Sequence, residues 1–496
     1  MKSLKIISLV CLVLCVLSSC SKTDYQNVIP KDANFVASVN LKAVAEESDF
    51  ANSGMAKTLK NSIGLLVSGK DKKAVEGIID DPSAMGIDFT CPAYVFGTSA
   101  QYYGATMKVS DADDLEDFVT LLSKQNIASK PQDKDGMMVG TLSSDVVYAY
   151  NKTALLLLIN ADNGSVSQSK KTAAQLMAQS EDDSFVSTDA YGKISDKADD
   201  AFALYANMSA LPASVGDVMA SFLPKKVKKG DIEVVASLDF GKGTATLTST
   251  LWGKTDEAQK LIDEVDGNMY KINGDFTDMP TENTAAWGCI GVKGEWLLSQ
   301  LKADKESSQI ITLIERGIDI EQMLRAVDGD FAVTVPRNYN ESAGESFMNF
   351  MSCAQLKNTD FLGDVDYWKS SMRDYGFSMN ATGKDTYLVS CEDKRIAWGV
   401  DGKNLFFGSE IASKDCMNSP KSHVLSRYES DIKDSKAFVY VDLKQVMQPS
   451  TEAKYGLVQF GPNLKALIFK ASSASDIQIV VENENKDDNF LKGILK

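Results

Sequence analysis

The sequence predicts an α+β protein of two tandem, duplicated domains, each an antiparallel sheet with helices packed on one face. Short apolar strands joined by tight turns recur along the chain, amphipathic helices stand between them, and the order of elements in residues 28–270 returns in residues 284–496. Strands joined by tight turns pair antiparallel, and amphipathic helices cover the apolar face of such a sheet. We therefore expect two similar domains joined by residues 271–283.

The first residues have the pattern of an export signal. Two lysines precede an apolar run from Ile6 to Leu17, and this run is shorter than the roughly 20 residues that a membrane-spanning helix needs. It ends in Leu-Ser-Ser followed by Cys20, which resembles the lipobox of bacterial lipoproteins. We predict that residues 1–19 are removed and that Cys20 becomes the acylated N-terminus.

The predicted lipid sets the expected location. Residues 20–27 form a lipidated leader, and the lipid on Cys20 holds the protein at a membrane. Among lipoproteins, Ser21 in place of Asp behind the cysteine implies the outer membrane, and residues 21–25 hold a single acid where surface-exposed lipoproteins hold a run. We expect an outer-membrane lipoprotein that faces the periplasm of the cell envelope, and exposure at the cell surface stays open.

The composition is that of globular protein with an acidic surface. The chain is 44% hydrophobic and 24% charged, and its formal net charge is −16. Such a surface repels nucleic acid, so we expect no nucleic-acid partner. Beyond Cys20, the mature chain keeps an odd number of cysteines whose disulfide pairing stays open, namely Cys91, Cys289, Cys353, Cys391 and Cys416.

A helix and a hairpin are the clearest repeated elements. Residues 138–158 align without a gap on residues 388–408 as strand, two-residue turn and strand, and Asp401-Gly402 indicates a type I′ turn. A helix precedes each hairpin. The first has an acidic first turn and a stripe of Leu115, Phe118, Val119 and Leu122, and the second has a stripe of Val365, Trp368, Met372 and Tyr375.

Apolar strands that end in Asn or Asp and open into a helix form the next repeat. They cover residues 35–41, 201–208 and 437–443, with a looser copy at 285–292. Asn40, Asn207 and Asp442 stand at the ends and could be taken for a ligand set. Helix N-capping explains them better, because a short side-chain acceptor there satisfies a free backbone N–H.

A strand pair and a helix close each half. In the first half, residues 232–251, in which Thr244 to Thr248 alternate between polar and apolar side chains, precede a helix over 256–265. In the second half, residues 464–481 precede a helix over 489–495. The same succession of elements is the basis for placing one domain over each half.

No segment has the residues of a known catalytic centre, so we predict no catalytic residue, metal or cofactor, and ligand-binding residues stay unknown. The single histidine, His423, lies in a polar stretch without a Gly-x-Ser-x-Gly elbow. Residues 253–255 lack the first glycine of a phosphate loop, and 133–136 and 160–164 lack the ligand spacing of a calcium loop. The basic run 225–230 is expected to be a solvated turn.

One segment resembles a known family. Val28 to Phe35 (Val-Ile-Pro-Lys-Asp-Ala-Asn-Phe) follows the lipobox closely, and with the length and double layout it resembles a family of uncharacterised Bacteroidetes-type lipoproteins. That family is a domain of unknown function without assigned catalytic residues, so the resemblance carries over no site residue.

Two functions remain open. The first is a non-catalytic binding or scaffold lipoprotein whose further partner is an envelope protein or a glycan. The alternative is a hydrolase that acts on glycans through paired carboxylates, for which the acidic residues are sufficient in number.

Overall fold

The computed structural model describes residues 24–49, 81–98, 102–134, 136–142, 145–160, 165–213, 226–336, 349–391, 394–446 and 463–495, with the short pieces 77–78, 216, 220 and 223–224. The predicted signal, Cys20, Lys225 and residues 161–164 of the calcium-like fragment lie outside the described residues.

Contacts divide the chain into two compact units. Unit 1 comprises residues 1–216, 232–249 and 485–496, and unit 2 comprises residues 217–231 and 250–484. These units are defined by contacts, whereas the domain bounds in the sequence concern repeated elements and stay a prediction.

The strands of unit 1 form one antiparallel sheet. They are β1 Ala33–Val39, β2 Ala93–Thr98, β3 Tyr102–Lys108, β4 Gln132–Lys134, β5 Met137–Thr141, β6 Val146–Tyr150, β7 Ala154–Asn160, β8 Phe202–Asn207, β9 Ile232–Gly241 and β10 Thr244–Gly253. Their order across the sheet is β4-β5-β6-β7-β3-β2-β1-β8-β9-β10.

The strands of unit 2 are also antiparallel. They are β11 Met269–Tyr270, β12 Thr284–Lys293, β13 Val327–Pro336, β14 Met351–Leu356, β15 Ser378–Gly383, β16 Thr386–Cys391, β17 Lys394–Asp401, β18 Asn404–Ser409, β19 Ala437–Asp442, β20 Leu464–Ala471 and β21 Asp476–Asn483. Their order is β15-β16-β17-β18-β14-β13-β12-β19-β20-β21, and the short β11 pairs with the end of β12.

The described residues include thirteen α-helices, of which the sequence predicts a part. In chain order they are α1 Leu41–Ser48, α2 Ala112–Lys124, α3 Val166–Met177, α4 Asp189–Ser195, α5 Asp256–Gly267, α6 Gly294–Ala303, α7 Lys305–Ile314, α8 Ile320–Ala326, α9 Val365–Asp374, α10 Glu410–Asn418, α11 Glu429–Asp434, α12 Leu443–Val446 and α13 Phe490–Leu495. The predicted helices α2, α5, α9 and α13 are confirmed.

The two sheets share one strand order, and their registers agree. In unit 1, Val39 pairs with Ala93 on one side and Phe202 on the other. In unit 2, Ile290 pairs with Phe331 and Ala437 in the same way. The common order is a property of the two folds, and descent from one duplicated sequence stays a prediction.

The hairpins follow the sequence overlay only in part. β6 and β7 match β17 and β18 in the register of residues 138–158 over 388–408. In the first strand, however, Thr141 of β5 takes the place of Leu388 of β16, because the two hairpins turn at different points: Thr141 pairs with Val147, whereas Leu388 pairs with Ala397. The second turn also differs, since Asp401 pairs with Asn404 and only Gly402, not both loop residues, has a positive φ.

The predicted helix caps are confirmed. Asn40 accepts the Ala43 N–H at 3.0 Å at the start of α1. Asn207 and Asp442 act in the same way at the ends of β8 and β19. These side chains therefore begin helical turns, as expected for short acceptors at an N-cap.

The α+β class is confirmed, but in unit 2 helices cover both faces of the sheet where one face was expected. Trp287 of β12 packs in a core with Ala412 of α10. Val292, which points to the opposite face of the same strand, packs in a second core with Trp368 of α9. Both faces of this strand are apolar, so both must be removed from water.

Candidate functional site

Unit 1 contains a cavity of about 860 Å³. Four separate segments form its wall: the first turn of the fold, the N-terminal half of α1, the approach to β2, and the region from the end of α3 through α4. We call it the unit 1 cavity, and its lining residues are Asp24, Gln26, Asn27, Asn40, Lys42, Ala43, Glu46, Thr90, Pro92, Tyr94, Glu181, Val186, Tyr191, Ser195, Ala198 and Asp199.

Two buried tyrosines, Tyr25 and Tyr94, pack together at the unit 1 cavity, and Tyr94 is part of its lining. The Tyr25 hydroxyl donates to the Pro92 carbonyl at 2.8 Å, and the ring of Tyr25 lies 6.0 Å from that of Tyr94. Burial raises the pKa of both phenols above its usual value. The pKa of Tyr191 is also raised, by burial first and then by the charge of Glu181. The cavity therefore presents neutral hydroxyl groups at physiological pH.

Asn40 joins two sides of the unit 1 cavity. Besides capping α1, its Nδ2 donates to the carbonyls of Ala198 at 3.1 Å and Asp199 at 3.2 Å. The side chain thus lines the cavity while its hydrogen bonds are made within the protein. These hydrogen bonds hold the start of α1 against residues 198 and 199 on the other side of the cavity.

The mouth of the unit 1 cavity is acidic. Asp24, Glu46, Glu181 and Asp199 are exposed at its edge, and the one basic side chain of the lining, Lys42, is half-buried. The other polar and aromatic residues of the lining carry amides, hydroxyls and tyrosine rings. Exposed carboxylates of one sign repel anions, so the cavity favours a neutral or cationic polar ligand.

A carboxyl group with a shifted pKa lies on α1, next to the lining residue Glu46. Burial first, and then the charges of Asp239, Asp200 and Glu46, raise the pKa of Glu47 from 4.5 to about 7. Its Oε2 atom has no hydrogen-bond partner among the described residues. Ionised Glu47 therefore destabilises the helix that forms one wall of the cavity.

Glu47→Gln is expected to stabilise the protein at high pH. The folded pKa of about 7 lies above the ordinary 4.5, so the cost of ionisation is absent below pH 4.5 and complete above pH 7. Allowing for partial exposure, we expect about 1–2 kcal/mol more stability at pH 8 and no change at pH 4. Urea unfolding at both pH values measures this. The exposed α2 control Asp117→Asn should show no such difference, and an equal gain at both pH values for Glu47→Gln would contradict the prediction.

The other sequence motifs are structural. His423 is exposed at the start of a short 3-10 turn. Thr255 of the phosphate-loop fragment caps α5 through the Ala258 N–H, and Asp133 accepts the Gly136 N–H in a turn. Within the described residues, no group of three or more His, Cys, Asp or Glu side chains is arranged to hold a metal ion.

Two of the free cysteines, Cys353 and Cys416, are thiols of low reactivity. In the described part of the chain, Cys289, Cys353, Cys391 and Cys416 are free thiols. Burial raises the pKa of Cys353 to about 12 and that of Cys416 to about 11. Such thiols stay protonated at neutral pH and are poor nucleophiles.

No linear pattern indicated the unit 1 cavity. Of its lining, only Asn40 was singled out in the sequence, and as a cap. Gln26, Tyr94 and Tyr191 come from three distant segments, so no spacing within one element could have grouped them.

The comparisons with known proteins give one family and a few distant folds. A family model described as Domain of unknown function (DUF4836) matches residues 25–471. No curated protein matches. "Structure of crystal form III of TP0453" is 11% identical with a TM-score of 0.27, over 52% of this chain and 92% of that chain. "Structure of crystal form I of TP0453" is 11% identical with a TM-score of 0.27, over 51% and 90%. In the described part of the chain, no helix is long and apolar enough to cross a membrane.

Proposed function

Because the chain belongs to the family described as Domain of unknown function (DUF4836), which names no reaction, we propose a function from the unit 1 cavity. The protein is a non-catalytic binding lipoprotein of the cell envelope that takes a small polar ligand in this cavity. The observation that carries the proposal is the cavity itself, lined by exposed carboxylates and by neutral amide and hydroxyl groups.

The lining suits binding better than hydrolysis. Amides and hydroxyls such as those of Gln26, Asn27 and Thr90 orient a ligand through hydrogen bonds, and the Tyr191 ring adds an apolar surface. Glycoside hydrolysis needs a carboxylic acid and a carboxylate that differ in protonation and face each other across the bond. The four carboxylates of the lining are all exposed to solvent, where no residue of the described chain holds one of them protonated opposite another.

Ligand capture is tested by blocking the cavity. Neutral saccharides, amino sugars, polyamines and short peptides are screened by the rise in melting temperature of the mature protein. Ser195→Trp, whose side chain is aimed at filling the cavity, should abolish any rise, and the control Lys130→Trp, at an exposed site outside the lining, should keep it. Turnover of a glycan that a single cavity-carboxylate substitution abolishes would overturn the binding proposal in favour of the hydrolase.

The proposed anchor lies close to this cavity. Residues 24–28 already form a short 3-10 helix with Tyr25 and Val28 buried. Cys20 to Thr23 therefore span at most about 14 Å between the lipid and the fold. A lipid on Cys20 would hold the cavity wall formed by Asp24, Gln26 and Asn27 near the membrane surface.

Cys20→Ala is expected to move the protein from the membrane to the soluble fraction, because its acyl chains are the proposed anchor. Fractionation of cells, with mass spectrometry of the N-terminal peptide, measures the shift and the loss of acyl mass. The control Cys391→Ala removes a free thiol of the described chain and should stay in the membrane. Retention of Cys20→Ala in the membrane would refute the proposed anchor.

A further inference from the structure

An Asn-Gly pair lies in unit 2 at residues 273–274, soon after the short strand β11. Asparagine deamidates most readily before glycine, because glycine has no Cβ to block the approach of its own nitrogen to the preceding side chain. Asn273 is exposed to solvent, so water reaches its amide. Residue type and exposure by themselves would therefore make this pair prone to covalent modification.

The chemistry of this modification needs only the chain and water. The backbone nitrogen of Gly274 loses its proton and attacks Cγ of Asn273, the Cγ–Nδ2 bond breaks, and the amide nitrogen leaves as ammonia. Water then opens the resulting succinimide at either carbonyl and gives aspartate or isoaspartate. The Gly274 N–H must therefore be free to lose its proton, and the Asn273 amide must be free to turn towards it.

The attacking nitrogen is held by Asp330. This side chain is fully buried, and its two carboxylate oxygens accept the N–H groups of Asn273 and Gly274 at 2.9 Å each. A carboxylate at hydrogen-bond distance disfavours an amide anion on Gly274, since two negative charges would then lie side by side. The contact thus keeps the nitrogen protonated and unreactive.

The amide under attack is held by Gln355. The Asn273 Nδ2 atom donates to Gln355 Oε1 at 3.2 Å, and the same oxygen accepts the Asp330 N–H at 2.9 Å. The Gln355 amide nitrogen in turn donates to the Asp275 carboxylate. Gln355 is thus fixed at both of its polar atoms, and the Asn273 amide can turn towards Gly274 only by breaking its own hydrogen bond.

We propose that Asn273 is a latent modification site, which Asp330 and Gln355 keep as asparagine and which converts to isoaspartate and aspartate once these contacts are lost. The conversion prevents the contacts from forming again. An aspartate places an oxygen where Nδ2 now donates to Gln355 Oε1. An isoaspartate adds a methylene to the backbone between the two N–H groups that bind Asp330. Residues 267–274 then lose the contacts that hold their end.

The rate of conversion is measured on the whole protein at mildly alkaline pH. Mass spectrometry follows the peptide that contains residue 273, and an isoaspartyl methyltransferase counts the isoaspartate. The reference for an unprotected site is the blocked synthetic peptide Lys-Ile-Asn-Gly-Asp. The protein should react at least about tenfold more slowly than this peptide, the factor that one hydrogen bond to a charged group is worth.

Two variants remove the two contacts separately. Asp330→Ala should raise the rate in the protein about tenfold or more, and Gln355→Ala should raise it about fivefold, the factor for a hydrogen bond between neutral groups. The control for general destabilisation is Trp398→Ala, because Trp398 and Ile272, close to the site, pack in different cores of unit 2. This control should leave the rate unchanged. The Asn-Gly pair at residues 163–164 is followed in the same samples and should react at one rate in all of them.

A further variant tests the consequence of the conversion. Asn273→Asp should increase hydrogen exchange at residues 267–274, and Asn273→Ala, which removes the amide without adding a charged acceptor, should increase it less. Equal rates in the wild-type protein and the free peptide, or in the wild-type protein and Asp330→Ala, would overturn the inference. A rise in Trp398→Ala as large as that in Asp330→Ala would also overturn it, because opening of the whole unit would then expose the site.

Discussion

Trp398→Ala is expected to lower the free energy of unfolding by about 3–5 kcal/mol, the usual cost of truncating a fully buried tryptophan. Trp398 of β17 is 1% exposed and packs between Tyr387, at 4.7 Å between ring centroids, and Trp368, at 5.9 Å. The substitution leaves a void in the core between the sheet of unit 2 and α9, because these rings cannot collapse into it without leaving their own contacts.

Urea unfolding followed by far-ultraviolet circular dichroism measures the loss without using tryptophan emission. The matched control is Tyr367→Ala on the outer side of α9, where the side chain is 73% exposed, and it should change stability by less than about 0.5 kcal/mol. A loss below about 1 kcal/mol for Trp398→Ala would contradict the packing described for this core.

Asp330→Ala is expected to cost about 3 kcal/mol or more, because Asp330 is fully buried and accepts two backbone N–H groups. Its carboxylate holds the N–H groups of Asn273 and Gly274 at 2.9 Å each. Removing it leaves these two N–H donors without a partner, so residues 267–274, which contain them, should also lose order.

Hydrogen exchange at residues 267–274, together with urea unfolding, measures both effects. Asp328→Ala is the matched control on the same strand, because Asp328 is exposed and, among the described residues, its side chain accepts one hydrogen bond, from the Tyr270 hydroxyl. It should cost less than about 1 kcal/mol. Unchanged exchange in Asp330→Ala would show that the carboxylate does not hold the segment.

Elements that depend on neighbours in the chain could be predicted from the sequence. The start of α2 was predictable because Asp111 accepts the N–H groups of Asp113 and Asp114, within its own turn. The caps at Asn40 and Asp442 were predictable for the same reason. Such signals lie within a few residues of each other, so composition and period reveal them.

The cavity, the covering of both sheet faces in unit 2 and the place of residues 267–274 beside β12 were decided only by the tertiary structure. Asp24, Tyr94 and Asp199 are far apart in the chain and meet because β1, β2 and β8 pair in one register. The patterns that predict these strands state which residues are buried but not which strands pair. A binding site assembled from long-range pairing therefore has no signature in any one segment of the sequence.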